Sequence, residues 1–216
     1  MHPGWLSNAY LIGDEPGGTA VFVDSGAPLE PLFEAVERHG LTVSHLLTTH
    51  ADADHIAGDD EIRARYRCPV VKGDLETGGL SVRALETPGH KDDHLAFVIN
   101  DELCCSGDVL FKDAVGGGDF EQIRSSVMEV LMKLAPETRL LPGHTDETTI
   151  GREWEHNPFV RVWRGAQPEG TERVRVGGEQ ATLVVWSPDY DGKGKAWVRF
   201  DDGRDAIVGG SRLERG

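Results

Sequence analysis

Four times along this chain a short apolar, β-prone run ends in a histidine or an aspartate. Val43–Thr49 runs into TTHADADHIAG at Thr48–Gly58, and Leu80–Glu86 into TPGH ending at His90. Glu102–Ser106 runs into SGD ending at Asp108, and Thr138–Leu141 into LPGH ending at His144. In the last three a glycine stands directly before the polar residue. Pro-Gly ahead of a histidine makes a tight turn that can aim the imidazole inward. Loops at strand ends are where an α/β scaffold places its chemistry, so the pattern points to a fold of that kind.

The first three-quarters of the chain alternates strand-like and helix-like segments. Thr19–Val23 reads as a strand, and Leu29–His39, with Leu32, Phe33 and Val36 at helical spacing and Gly40 behind it, as a helix. Asp59–Tyr66 is charged and helix-prone, and Pro69–Val71, Leu80–Glu86, Leu95–Asn100 and Glu102–Ser106 read as short strands. The last two form a hairpin through Asn100-Asp101. Phe120–Leu134 is an amphipathic helix with Ile123, Val127, Val130, Leu131 and Leu134 on one side, and Thr148–His156 reads as another helix. Near Gly165 the character changes. GAQPEGT (165–171) is a linker, and ATLVVW, KAWVRF and DAIVGG are β runs between Gly- and Asp-rich turns. The expected division is therefore a domain over 1–164, a linker over 165–171 and a small β-barrel-like module over 172–216, with Trp186, Trp197 and Phe200 as the module's core.

Hydrophobic residues make up 38% and charged residues 27%, an ordinary globular composition, and no apolar run approaches a membrane span. The N-terminal MHPGWLSNAYLIGDE has no basic region followed by an apolar block. The net charge of −15 repels polyanions, which argues against nucleic acid as a partner. Three cysteines, Cys68 and the adjacent Cys104-Cys105, are no disulfide framework. The expectation is a cytoplasmic protein that acts on a small molecule, without a membrane, and that can pair with itself through the C-terminal module.

In an extended strand end, residues i and i+2 point the same way, so His50 and Asp52 can reach one ion. Asp54 and His55 follow where the chain turns into a helix and can face a second. Together THADADHIAG, TPGHKDDHLAF, SGDVLF and LPGHTDETTIGREWEHNP, with the early VDSG at Val23–Gly26, resemble the metallo-β-lactamase superfamily, and PGHTDETTIGREWEHNPF is similar to its glyoxalase II-like branch. The resemblance covers about residues 6 to 160. It implies a four-layer αβ/βα sandwich, an α/β (α+β) fold, here followed by a small all-β, SH3-like module. It also implies a two-metal site, with His50, Asp52 and His90 on the first ion and Asp54, His55 and His144 on the second. Asp108 would bridge the two, and Asp24 would orient the ligands without touching metal.

The usual family pattern is HxHxDH, and this chain has Asp52 where the middle histidine stands. With Asp52, Asp54, Asp108 and a bridging hydroxide around two divalent ions, four negative charges offset four positive ones. Imidazole in place of Asp52 would leave the site at plus one. A carboxylate is also a harder ligand, so zinc comes first on family grounds while iron and manganese compete. Two readings of Asp52 stand: a ligand, or a side chain turned away from a weakly held first metal. His94 reads as a residue that packs or supports the ligands from behind rather than as a ligand itself. Lys91 either offsets local acidity, the favoured reading, or meets an anionic substrate. Lys112 is a candidate substrate contact, and Gly116–Gly118 a flexible rim loop.

The resemblance implies a metallohydrolase in which a metal-bridging hydroxide cleaves a thioester, lactone or similar acyl ester, with Asp54 or a metal-bound water handling the leaving group's proton. Full-length glyoxalase II enzymes carry a helical C-terminal domain where this chain is β-rich, which puts hydroxyacylglutathione itself in doubt. The rivals are an iron-dependent redox enzyme of the same fold, a sulfur dioxygenase or a diiron type, and a non-catalytic metal-binding scaffold.

Overall fold

β-branched and aromatic runs bounded by turn residues make the strands. In the computed structural model, which describes residues 4–215, they assemble into two main sheets packed face to face. The first sheet carries β1 (Tyr10–Gly13), β2 (Thr19–Val23), β3 (Thr42–Leu47) and β4 (Val70–Val71) in that order. β1 runs antiparallel to β2, and the β2–β3–β4 pairs are parallel. The second sheet is built from β5 (Leu75–Thr77), β6 (Leu80–Glu86), β7 (Leu95–Ile99), β8 (Leu103–Gly107), β11 (Arg139–Pro142) and β12 (Thr148–Thr149), in the order β12-β11-β8-β7-β6-β5. Between β8 and β11 lies a small ladder of β9 (Leu110–Phe111) and β10 (Ala114–Val115).

Alternating side chains of the two sheets close on each other. Ile12, Val21, Val23 and Leu47 meet Leu80, Val82, Phe97, Ile99, Cys105 and Leu141. The opposite face of the first sheet is covered by α1 (Glu30–His39) and α3 (Asp59–Tyr66) through Phe22, Phe33, Val36, Leu46 and Ile62. The opposite face of the second is covered by α4 (Phe120–Ser125), α5 (Ile150–His156) and α6 (Pro158–Trp163). The result is a four-layer αβ/βα sandwich, and the short α2 (Ala53–Ile56) sits at the strand edge. Among the described residues no helix is long and apolar enough to cross a membrane. Cys68, Cys104 and Cys105 are free and buried.

Residues 120–134 are not one regular helix. α4 passes into a π-helical turn at Ser126–Val130 and a 3₁₀ turn at Leu131–Lys133, so the apolar face rotates while Ile123, Val127 and Leu131 all stay buried. Thr148 and Thr149 pair with β11 before α5 begins, and the Thr149 hydroxyl caps α5 by accepting from the Arg152 N–H.

β13 (Glu172–Val176), β14 (Glu179–Ser187), β15 (Lys195–Phe200), β16 (Asp205–Gly209) and β17 (Leu213–Arg215) form an antiparallel five-stranded sheet, in which β17 returns to pair with β13. One side encloses Val174, Ala181, Leu183, Ala196 and Val198. From the other, Val184, Val185, Trp197 and Ile207 join the core that holds Phe120 and Phe159. Trp197 thus belongs to the contact with the helical layer, and Phe200 is only partly buried. Trp186, expected in the core, is 45% exposed and lies under the Arg215 guanidinium. A bulge between Leu183 and Val185 shifts the strand register just before Trp186.

Candidate metal centre

β3, β6, β8 and β11 each run into a loop that delivers one or more polar side chains to the same place. His50, Asp52, Asp54 and His55 come from the β3–α2 connection, His90 from the turn after β6, Asp108 from the end of β8 and His144 from the turn after β11. Three overlapping groups result: His50, Asp52 and His90; His50, His55 and Asp108; Asp54, His55 and His144. Within each, the candidate ligand atoms all lie within 4.8 Å of one another.

The distances suit metal ligation. Ligand atoms about 2.0–2.1 Å from one ion at the tetrahedral angle stand about 3.3 Å apart. Asp52 Oδ2 is 3.4 Å from His90 Nε2 and 3.8 Å from His50 Nε2. Asp54 Oδ2 is 3.5 Å from His144 Nε2 and 3.9 Å from His55 Nε2. Asp108 lies between the groups, with Oδ2 3.2 Å from His144 Nε2 and 3.9 Å from His90 Nε2, and Oδ1 3.3 Å from His55 Nε2.

Every candidate ligand imidazole is held by its Nδ1. His90 Nδ1 donates to the Gly117 carbonyl (2.8 Å) and His144 Nδ1 to the Leu6 carbonyl (2.9 Å). His55 Nδ1 donates to Asp24 Oδ2 (2.8 Å). His50 Nδ1 donates to Thr49 Oγ1 (3.0 Å), whose own hydroxyl donates to Asp24 Oδ2 (2.8 Å). The Thr49 N–H occupies Asp24 Oδ1 (2.8 Å). Asp24, in the left-handed region at φ 55°, therefore orients two imidazoles from one carboxylate. Fixing Nδ1–H leaves each Nε2 lone pair facing the pocket.

Those inward atoms carry the fit test. Among the described residues, His50 Nε2, His55 Nε2 and Asp108 Oδ1 are buried without a hydrogen-bond partner. Orphaned buried acceptors are costly, and a cation is the group that satisfies imidazole nitrogen and carboxylate oxygen together. The residues fit divalent metal. The backbone is shaped around them as well: a Cβ on Gly143 would come 2.2 Å from Asp108 Oδ1 and 2.7 Å from His55 Cε1, so no larger residue fits before His144.

The protein groups alone set unequal proton affinities. Without a metal ion a proton takes its place on His55: burial disfavours the charged ring, but the Asp108 carboxylate 3.3 Å from Nε2 and the Asp24 carboxylate overcome it and lift His55 to about 10. Burial also works against protonated His144, and Asp108 again raises it. His50 is pushed down to about 3 by burial and by His55 beside it. Burial would raise Asp108, yet His144 and His55 hold it well below the usual carboxylate range.

His94 is buried outside the ligand groups. Its Nδ1 donates to Thr87 Oγ1 (2.8 Å) and its Nε2 accepts the Asp108 N–H (3.0 Å). Both nitrogens are used, and the ring positions the backbone of Asp108. Lys91 pairs with Asp52 Oδ1 at 2.8 Å, and Lys112 with Asp146 at 3.1 Å. Lys112 lines an open cleft of about 250 Å³ with Thr145, Pro188 and Tyr190.

Two contributors come from the C-terminal sheet and leave no mark in the sequence. Tyr190, in the β14–β15 turn, stacks on His144 with ring centroids 4.0 Å apart and planes 8° apart, and Phe111 meets both rings edge-on. Gly118 bridges to Ile207, fixing the Gly116–Gly118 loop whose Gly117 carbonyl holds His90. That loop, expected to be a flexible rim, is part of the ligand support.

A family model described as the metallo-beta-lactamase superfamily matches residues 2–78. An uncharacterised protein of Aquifex aeolicus (strain VF5) is 30% identical over 203 residues, 71% of this chain and 91% of that protein. The chain belongs to the metallo-β-lactamase superfamily. Within the superfamily, the hydroxyacylglutathione hydrolase of Rhodopseudomonas palustris (strain BisA53) is 35% identical over 157 residues. That match covers 62% of this chain and 61% of the hydrolase, less than two thirds of the hydrolase's length. Among solved structures, the BLEG-1 B3 metallo-β-lactamase superposes with a TM-score of 0.68 at 26% identity, covering 74% of this chain and 96% of that one. TTHA1623 in a di-iron-bound form gives 0.62 at 28% identity, covering 74% and 98%.

Proposed function

We propose that the protein is a metallohydrolase that holds two divalent ions, zinc first among them, and cleaves a thioester, lactone or similar acyl ester. His50, Asp52 and His90 would hold the first ion, Asp54, His55 and His144 the second, and Asp108 both. The observation that carries this reading is the set of orphaned inward atoms on His50, His55 and Asp108, each ligand imidazole having its far nitrogen already fixed. When bound, the ions supply an ionised water as nucleophile and positive charge for the acyl oxygen. The chain's own part is positional. Asp24 and Thr49 hold two imidazoles in the ligating tautomer, and His94 holds the Asp108 backbone. Asp54, whose side chain is 28% exposed, would take the proton released in the attack and return it to the leaving group. Lys112, in the cleft beside Tyr190, offers a cation at the substrate's entry.

Elemental analysis of the purified protein, with turnover of an activated ester, tests the reading. Two metals per chain and loss of turnover in His55→Ala are expected; an active His55→Ala variant would mean the ions are structural. A redox reading draws on the third carboxylate at Asp52 and on the di-iron-bound relative TTHA1623. It requires iron and oxygen uptake, and zinc without oxygen consumption removes it. We further propose domain limits of 1–164 and 172–216 about a linker at 165–171. The return of β17 to β13 after a 3₁₀ turn at Gly210–Arg212 supports an SH3-like second unit.

A further inference from the structure

We infer that the two triads bind cations unequally and that Lys91 is the cause, holding the first position weaker than the second. The inference rests on the metal-binding reading above. The triads are chemically alike, each with two imidazoles and one aspartate, and they share Asp108. Their surroundings are not alike. Asp52 turns Oδ2 toward His50 and His90, while its other oxygen, Oδ1, receives the Lys91 ammonium at 2.8 Å. Among the described residues no lysine or arginine forms an ion pair with Asp54, whose paired neighbours are His55 and His144, and Lys91 acts on it only as a more distant charge.

The consequence is one unit of charge. Lys91 cancels the Asp52 carboxylate, so the first triad meets a cation as a neutral set with three donors, whereas the second keeps its full negative charge. The Asp52–Lys91 pair therefore acts as a neutral imidazole would, and the third carboxylate of this chain does not make the centre electron-rich. Exposure works in the same direction. The two carboxylates are similarly exposed, Asp52 at 34% and Asp54 at 28%, and His50, His55 and His144 are buried, but His90 of the first triad is 23% exposed. The first position is the more open to water, through His90. A unit charge facing a divalent ion across one carboxylate changes affinity by about tenfold even at the dielectric of water.

The test is zinc titration of the metal-stripped full chain against a chromophoric chelator. Wild type should bind two ions at least tenfold apart. His90→Ala should remove the weaker event and His144→Ala the tighter one. Lys91→Met should raise the weaker affinity about tenfold and narrow the gap, while Lys91→Arg should keep it. Lys91 is exposed and serves no core contact, so these variants fold. An unchanged gap in Lys91→Met, or loss of the tighter event in His90→Ala, overturns the inference while leaving a two-metal protein. Failure of wild type to bind any zinc overturns the metal-binding reading as well.

Discussion

Replacing Asp24 by asparagine isolates what one buried carboxylate does for the centre. Asp24 lies outside the candidate ligand groups, yet its two oxygens accept from the Thr49 N–H, the Thr49 hydroxyl and His55 Nδ1. Asparagine has the same shape and tolerates the left-handed backbone at φ 55°, so the main chain has no reason to move. If the new amide nitrogen takes the place of Oδ2, it offers protons where His55 Nδ1 also offers one. His55 must then give up its Nδ1 proton and keep one on Nε2, facing the pocket. If the amide is turned the other way, its protons face the Thr49 N–H instead. Either arrangement loses at least one hydrogen bond to a buried charged group, worth about 1.5–3 kcal/mol. Outer partners of this kind typically govern metal affinity by about 10- to 100-fold. Asp24→Asn should thus fold, lose about 1.5–3 kcal/mol in denaturant unfolding of the metal-stripped protein, and bind zinc about 10- to 100-fold more weakly in chelator competition. Wild-type zinc affinity in a folded Asp24→Asn protein would refute the idea that this carboxylate sets the tautomer of His55.

Tyr190 can be separated into ring and hydroxyl. Tyr190→Phe should keep zinc affinity at the second triad, whereas Tyr190→Ala should weaken it about three- to tenfold, the value of a stacked aromatic pair, by freeing His144. Equal affinities in wild type and Tyr190→Ala would show that the C-terminal sheet does not brace the centre. Proton linkage gives an independent check. Because Asp108 and Asp24 lift His55 to about 10, a cation entering at neutral pH displaces its proton. Apparent affinity should rise with pH, about tenfold per unit for each proton released, and flatten as pH approaches 10. Calorimetric heats that do not change with the ionisation enthalpy of the buffer would contradict this.

Much of the sandwich was legible in the order of residues because strand and helix periods are local properties. Thr19–Val23, Asp59–Tyr66 and Leu80–Glu86 are elements with the same limits in the structure. The π-helical turn after α4 is not visible in the sequence because the four-residue spacing of Ile123, Val127 and Leu131 is equally compatible with a regular helix. Trp186, expected inward as an aromatic of a β run, faces outward, because the bulge between Leu183 and Val185 shifts the register just before it. The ligand candidates were legible for a different reason: histidine and aspartate beside glycine at successive strand ends are chemically marked, and the sheet brings such ends together.

What the chain's order of residues determined by itself is the set of donors, the sites of the turns that present them, and the exchange of an imidazole for Asp52. The tertiary structure alone decided how those donors are tuned. Asp24 reaches His55 across 31 positions, and the partner of His144 Nδ1 is a carbonyl 138 positions away. Lys91 on Asp52 and Tyr190 on His144 are contacts between segments that share no local pattern. Hydrogen bonds, stacking and Coulomb forces act over a few ångströms of space, and distance along the chain says nothing about which groups come within that range until the sheets have packed.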